Sequence, residues 1–147
     1  MPSLLKFSKK MPVVARRVTS NLAKKKKRIA LSVHEAVAEG TPVDKGVARS
    51  NWQVEIGHSS NTFLPAYSPG RHLGRGEKSN LAGAKTQARI ALAKPVSPGL
   101  PIHITNNTPY IRLLNDKGTS AQSASFFVQT AIMKALATTK GIRVLRK

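Results

Sequence analysis

Near the start of the chain, Val14, Val18, Leu22, Ile29, Val33 and Val37 recur at multiples of three to four residues. That spacing lines them up as one stripe of a helix. It predicts a first long helix over Pro12 to Glu39, with Pro12 in its first turn and Gly40 and Pro42 stopping it. Further on the period changes. Trp52, Val54 and Ile56 alternate with Gln53 and Glu55, the pattern of a half-buried strand. Ile102 to Thr105 reads as a second strand, set off by Pro95, Pro98 and Pro101. Between the strands, residues 58–79 form an extended loop without periodicity, and Asn80 to Lys94 is an alanine-rich helix that Asn80 is placed to cap. Thr108 to Asn115 predicts a short helix. Ser125 to Thr139 predicts a second long one, with Phe127, Thr130, Ala131, Lys134 and Thr138 along one line and Gly141 ending it.

The predicted architecture is α+β: a small, mainly antiparallel sheet packed by the long N-terminal helix and the C-terminal helix, with one long loop. Residues 12–140 make a single domain. Residues 1–11 form a basic N-terminal arm that needs a partner to order it, and residues 141–147, with Ile142, Val144 and Leu145, form a C-terminal arm.

Charge changes this picture. Among 147 residues, 25 are Lys or Arg and 6 are Asp or Glu, a net charge of +19. Such a chain repels itself and is best tolerated beside a polyanion or acidic neighbours. The run Lys24, Lys25, Lys26, Lys27 and Arg28 wraps around the first helix and interrupts its stripe, and no acid precedes Glu35. A solvated helix face is the plain reading of such a run. With this overall charge, phosphate-directed contact without sequence specificity is the functional one. The loop Gly70 to Gly76 adds Arg71 and Arg75 among glycines, without the order of a phosphate-binding P-loop. A mobile or backbone-binding loop fits it better. Lys24 to Arg28, Arg71 and Arg75 are therefore the candidate contacts to DNA or to an acidic partner.

Catalytic chemistry finds no foothold. His34, His58, His72 and His103 lack metal-ligand spacing. Glu35 and Glu39 lie one turn apart among cations, where ion pairs within the helix are expected. Asp44 occupies a turn, and no GxSxG elbow occurs. No catalytic, cofactor-binding or metal-binding residue is assigned, and the expectation is a protein that is not an enzyme. The absence of cysteine excludes disulfides. No apolar run reaches the ~20 residues of a membrane span, and the N-terminus lacks an uninterrupted apolar core of a secretory signal. No membrane partner is expected.

Two segments carry a resemblance. Thr41-Pro42-Val43-Asp44-Lys45-Gly46 runs on through Ala48-Arg49-Ser50-Asn51-Trp52-Gln53-Val54. Ile102-His103-Ile104-Thr105-Asn106-Asn107-Thr108-Pro109-Tyr110-Ile111 is followed by Leu114-Asn115-Asp116-Lys117-Gly118-Thr119-Ser120-Ala121-Gln122. In order and spacing they resemble the tail-completion proteins of phage necks, the family similar to minor tail protein Z of lambdoid phages. The likeness extends over roughly residues 12–135. Two departures are visible: Asn115-Asp116-Lys117 replaces the usual acid before the glycine, and Ser123-Ala124 replaces the usual Ala-Pro after Gln122.

The resemblance implies a structural virion protein that joins tail to head, made in the host cytoplasm and found in the virion. It implies a six- or twelve-fold ring of copies that meets adaptor or portal-side proteins and tail-tube or tail-terminator proteins, around genomic DNA. Pro42, Asp44, Gly46, Trp52, Asn106, Pro109, Tyr110, Gly118 and Gln122 are the motif positions. Read physically they are structural: Trp52 anchors sheet to helix, Pro109 reverses the chain, and Tyr110 packs its ring while its hydroxyl reaches a backbone partner. The alternative is a nucleic-acid-binding module of ribosome- or nucleoid-associated type, which the charge explains and the two segments do not.

Overall fold

The computed structural model describes residues 3–69, 77–118 and 120–141. Its elements are α1 (Leu4–Gly40), α2 (Val47–Ser50), β1 (Trp52–Ile56), α3 (Glu77–Ala93), β2 (Ile102–Asn106), α4 (Ile111–Lys117) and α5 (Phe127–Thr139). The fold is α+β, as the two periodicities predict.

The largest departure lies at the N-terminus. The helix starts at Leu4, within the expected arm, after Ser3, whose hydroxyl accepts from the Lys6 amide. Pro12 is therefore inside α1 and not in its first turn. It deprives the Ser8 carbonyl of its usual helical partner. The proposed C-terminal arm falls almost wholly on residues 142–147, outside the described residues.

α1 ends through long-range contacts. Thr41 Oγ1 donates to the Val37 carbonyl at 2.6 Å. Arg49 reaches back with Nη2 to the carbonyls of Glu39 (3.1 Å) and Thr41 (2.8 Å). A cation on the last carbonyls of a helix also complements its dipole.

The two strands are antiparallel, with Val54 opposite Ile104 and Trp52 opposite Asn106. Their apolar face is shared by three helices. Val54 packs with Ala30 of α1 and Ala88, Ala91 and Leu92 of α3. Trp52 packs with Val37 and Ala38 of α1 and Phe127 and Ala131 of α5. Ile104 joins both clusters. α5 runs antiparallel to α1, with Phe127 beside Gly40 and Thr138 beside Ser32. Alanine at most helix positions in these clusters lets the helices approach closely, so a core with few aromatics can still be dense.

A two-stranded sheet has two edges, and an open edge invites foreign strands. Side chains close the outer edge of β1. His34 Nε2 donates to the Trp52 carbonyl at 3.0 Å. The Gln87 carboxamide accepts from the Val54 amide at 3.2 Å and donates to its carbonyl at 3.3 Å. A carboxamide carries one donor group and one acceptor, so it pairs with a peptide much as a neighbouring strand does.

Candidate functional site

The two recognisable segments come together in space. Trp52 is their centre: its indole Nε1 donates to Thr41 Oγ1 at 2.6 Å, and that hydroxyl donates onward to Val37. One buried relay thus joins the strand, the loop and the end of α1. The expectation that Trp52 ties sheet to helix is met. Asn106, opposite Trp52 on β2, donates to the Ala48 carbonyl of α2 at 2.7 Å, and its Oδ1 accepts from the amide and hydroxyl of Thr108. Gln122 grips Val43 from both sides, accepting from its amide and donating to its carbonyl, each at 2.9 Å. After Asn106 it is the second side chain of the second segment to bond the first.

Glycine serves two motif turns. Gly46 precedes α2 at φ +82°, and a side chain there would collide with the Asn80 carboxamide. Gly118 closes α4 at φ +54°. Asn80, expected as a helix cap, is instead fully buried inside α3. Its Oδ1 accepts from Ser50 Oγ (3.0 Å) and the Ser68 amide (2.8 Å), and its Nδ2 donates to the Ser68 carbonyl (2.9 Å). The helix begins three residues earlier, at Glu77, so position 80 is free for that inward task. Asn51 holds Leu64 the same way, at 2.8 Å and 2.6 Å. The described part of the long loop is therefore pinned to the domain by polar side chains.

Where the segments meet they leave a cleft of about 760 Å³, lined by Pro42, Asp44, Val47, Tyr110, Leu114 and Gln122 among others. Tyr110 is 42% exposed at its margin. Partial burial, and then the negative charge of Asp44, raise its phenol pKa. Among the described residues, the expected backbone partner for its hydroxyl is not found. Pro109 is exposed and lies two residues before α4, so it shapes the turn into that helix.

The basic run is not one surface. Lys24 and Arg28 are exposed, while Lys25, Lys26 and Lys27 are half-buried. Lys26 Nζ donates to the Pro98 and Leu100 carbonyls and so holds the turn before β2. Five consecutive helical residues point around the full circumference, so the run divides between structure and solvent. Arg71 and Arg75 lie outside the described residues. Glu35 and Glu39 pair not within α1 but across to α3, with Arg89 at 3.1 Å and Lys85 at 2.7 Å. Sequence reasoning missed Arg49, whose side chain is 5% exposed and bonds Glu77 at 3.0 Å beside the two carbonyls of α1. Its place between Ala48 and Ser50 gave no periodic signal.

His34 is fully buried. Its bond to a carbonyl requires the proton on Nε2, and Nδ1 is buried without a hydrogen-bond partner. Burial outweighs that bond and the charge of Glu35, and lowers its pKa below 6.5.

Among the described residues, no cluster of His, Cys, Asp or Glu is arranged to hold a metal, and no helix is long and apolar enough to cross a membrane. No family model, curated protein or solved structure matches the chain.

Proposed function

We propose that this chain is a non-catalytic structural protein of a tailed phage neck, which completes the tail at the head–tail joint as a closed ring of copies. One observation carries the reading. The two segments that resemble the tail-completion family, far apart in sequence, close on each other through Asn106 to Ala48 and Gln122 to Val43. Their motif residues form a hydrogen-bonded frame around a surface cleft. This arrangement supports the reading of an assembly part. Its neighbours are adaptor or portal-side proteins and tail-tube or tail-terminator proteins, with the genome passing through the ring. Six- or twelve-fold closure uses heterologous interfaces, one patch meeting a different patch on the next copy.

The test is to image particles assembled without the gene. Accumulation of filled heads and unattached tails is expected; tailed, infectious particles at normal yield would overturn the proposal.

A second reading, non-specific nucleic-acid binding by the free protein, is favoured by the cationic side of α1. From Leu4 to Arg28 every charged residue of that helix is Lys or Arg. A titration of duplex DNA across salt separates the two. Tight binding by a monomer, weakening with a slope of about −0.9 per phosphate neutralised, favours the free DNA binder.

A further inference from the structure

The two edges of the sheet differ. On an antiparallel ladder, successive residues turn their peptide groups alternately toward the partner strand and away from it. Val54 gives both its N–H and its C=O to Gln87, outside the sheet, so Val54 and its partner Ile104 face away from each other. Ile102, two residues along, faces outward with Ile104. The Gly57 amide on the Pro101 carbonyl, at 2.8 Å, fits the same phase. His34 and Gln87 thus close the β1 edge. Among the described residues, nothing bonds the outward N–H or C=O of Ile102 or Ile104. An edge of this kind is a template for one more strand.

The helices beneath define what borders that edge. Glu35 and Glu39 turn one flank of α1 toward α3, which stands at the β1 edge through Gln87. Gly40 and Ser32 turn the other flank toward α5. α5 therefore lies on the β2 side. Val128, Ile132 and Leu136 follow one another at four-residue spacing along it. The first two pack, as Ile104 does, on the Trp52 cluster, and Leu136, one turn on, is 44% exposed. An apolar shelf thus continues beyond the open edge.

The chain itself supplies a strand for that place. Ile142 and Val144 are β-branched and flank Arg143, a period of two. β2 runs in the direction of α1: Lys26 holds the turn before it, and Asn106 at its end lies opposite Trp52, which packs on Val37. α5 runs the other way and ends at Thr139, with Thr138 beside Ser32. Leu31, next to Ser32, packs on the Val54 cluster as Ile102 does. α5 thus delivers the chain near the first residue of β2. A reversal at Gly141 sets the residues after it parallel to β2, joined to that strand through a helix as parallel pairs require. We infer that Ile142–Leu145 pairs with the outward edge of β2 as a third strand of its own sheet. Ile142 and Val144 cover the α5 shelf, and Arg143 lies on the opposite face beside His103. The strand closes the one edge that His34 and Gln87 do not reach, and it is independent of the neck reading.

The test follows amide exchange by NMR in the full chain. The amides of Ile102 and Ile104 are expected to be protected, as are those of Gln53 and Glu55 inside the ladder. R143P/V144P removes two neighbouring N–H groups, one of which must face β2. It should speed exchange at Ile102 and Ile104 by about tenfold or more while Gln53 and Glu55 keep their rates. Equal rates at Ile102 and Ile104 in the two proteins would overturn the inference. The chain has no cysteine of its own, so a cross-link gives a second measurement. His103→Cys with Arg143→Cys, neighbours on one face, should form a disulfide within a single chain under mild oxidation. A covalent dimer would give the edge to the same segment of a second copy. No disulfide in a chain with wild-type circular dichroism would leave the edge unfilled. Either result overturns the inference.

Discussion

α1 is one continuous helix with two unlike halves. From Ala30 to Glu39 its buried residues are Ala30, His34, Val37 and Ala38, they pack on the sheet, and Glu35 and Glu39 reach across to α3. From Leu4 to Leu22 its apolar residues are larger and its charges all positive. Those large apolar residues are exposed by 41% or more wherever they stand on the stripe, except at half-buried Val18. The same helical period drives both halves, so periodicity reports that a face is apolar and not what covers it. The domain's own tertiary structure covers the stripe in one half and leaves it exposed in the other.

The deepest break in that comparison is Trp52→Ala. Removing the indole empties the cluster beside Val37 and Phe127 and leaves Thr41 Oγ1 without its donor; a loss of about 3–5 kcal/mol is expected in urea unfolding. Next comes Gln87→Ala, which strips both partners from the Val54 peptide at the sheet edge, at about 1–3 kcal/mol. Phe7→Ala in the projecting half should shift the unfolding midpoint of the monomer by no more than about 0.5 kcal/mol. Equal losses from Trp52→Ala and Phe7→Ala would erase the distinction between the halves.

A pH series sharpens it further. His34 is neutral when folded, with its pKa held below the 6.5 of the unfolded chain. The unfolded state therefore binds the extra proton first. Stability is full above pH 6.5, falls as pH drops below that value, and levels off once the folded state protonates too. Thermal melts of wild type and His34→Gln at stepped pH check this; a wild-type curve no steeper than the variant's in that window removes His34 as the cause.

Much of the fold was legible from period alone. The alternation at Trp52, Val54 and Ile56 reflects burial on one face, and the stripe from Val14 to Val37 marks the helix although only its second half packs on the domain. The start of α1 was not legible, because Lys6, Lys9 and Lys10 look like an arm until Leu4, Phe7 and Met11 are joined to the later stripe. Asn80 also misled. An asparagine before an alanine-rich run resembles a cap, yet here it turns inward to hold Ser50 and Ser68. At the site, the two segments were visible, but their meeting was not. Gln122 and Val43 are 79 positions apart, and nothing local announces the pair. Nor does a run of five cations reveal that Lys26 is spent on two backbone carbonyls.

Asn51, Asn80, Gln87 and Gln122 each hold one residue's backbone by both its N–H and its C=O. All four grips are electrically neutral. Counter-ions screen attraction between exposed charges but leave a paired amide nearly untouched. In a chain of charge +19, these four grips are thus insulated from the ionic strength around them, while a polyanion on the cationic residues of α1 would be held more weakly as salt rises. The frame and any proposed polyanion contact would therefore answer differently to salt.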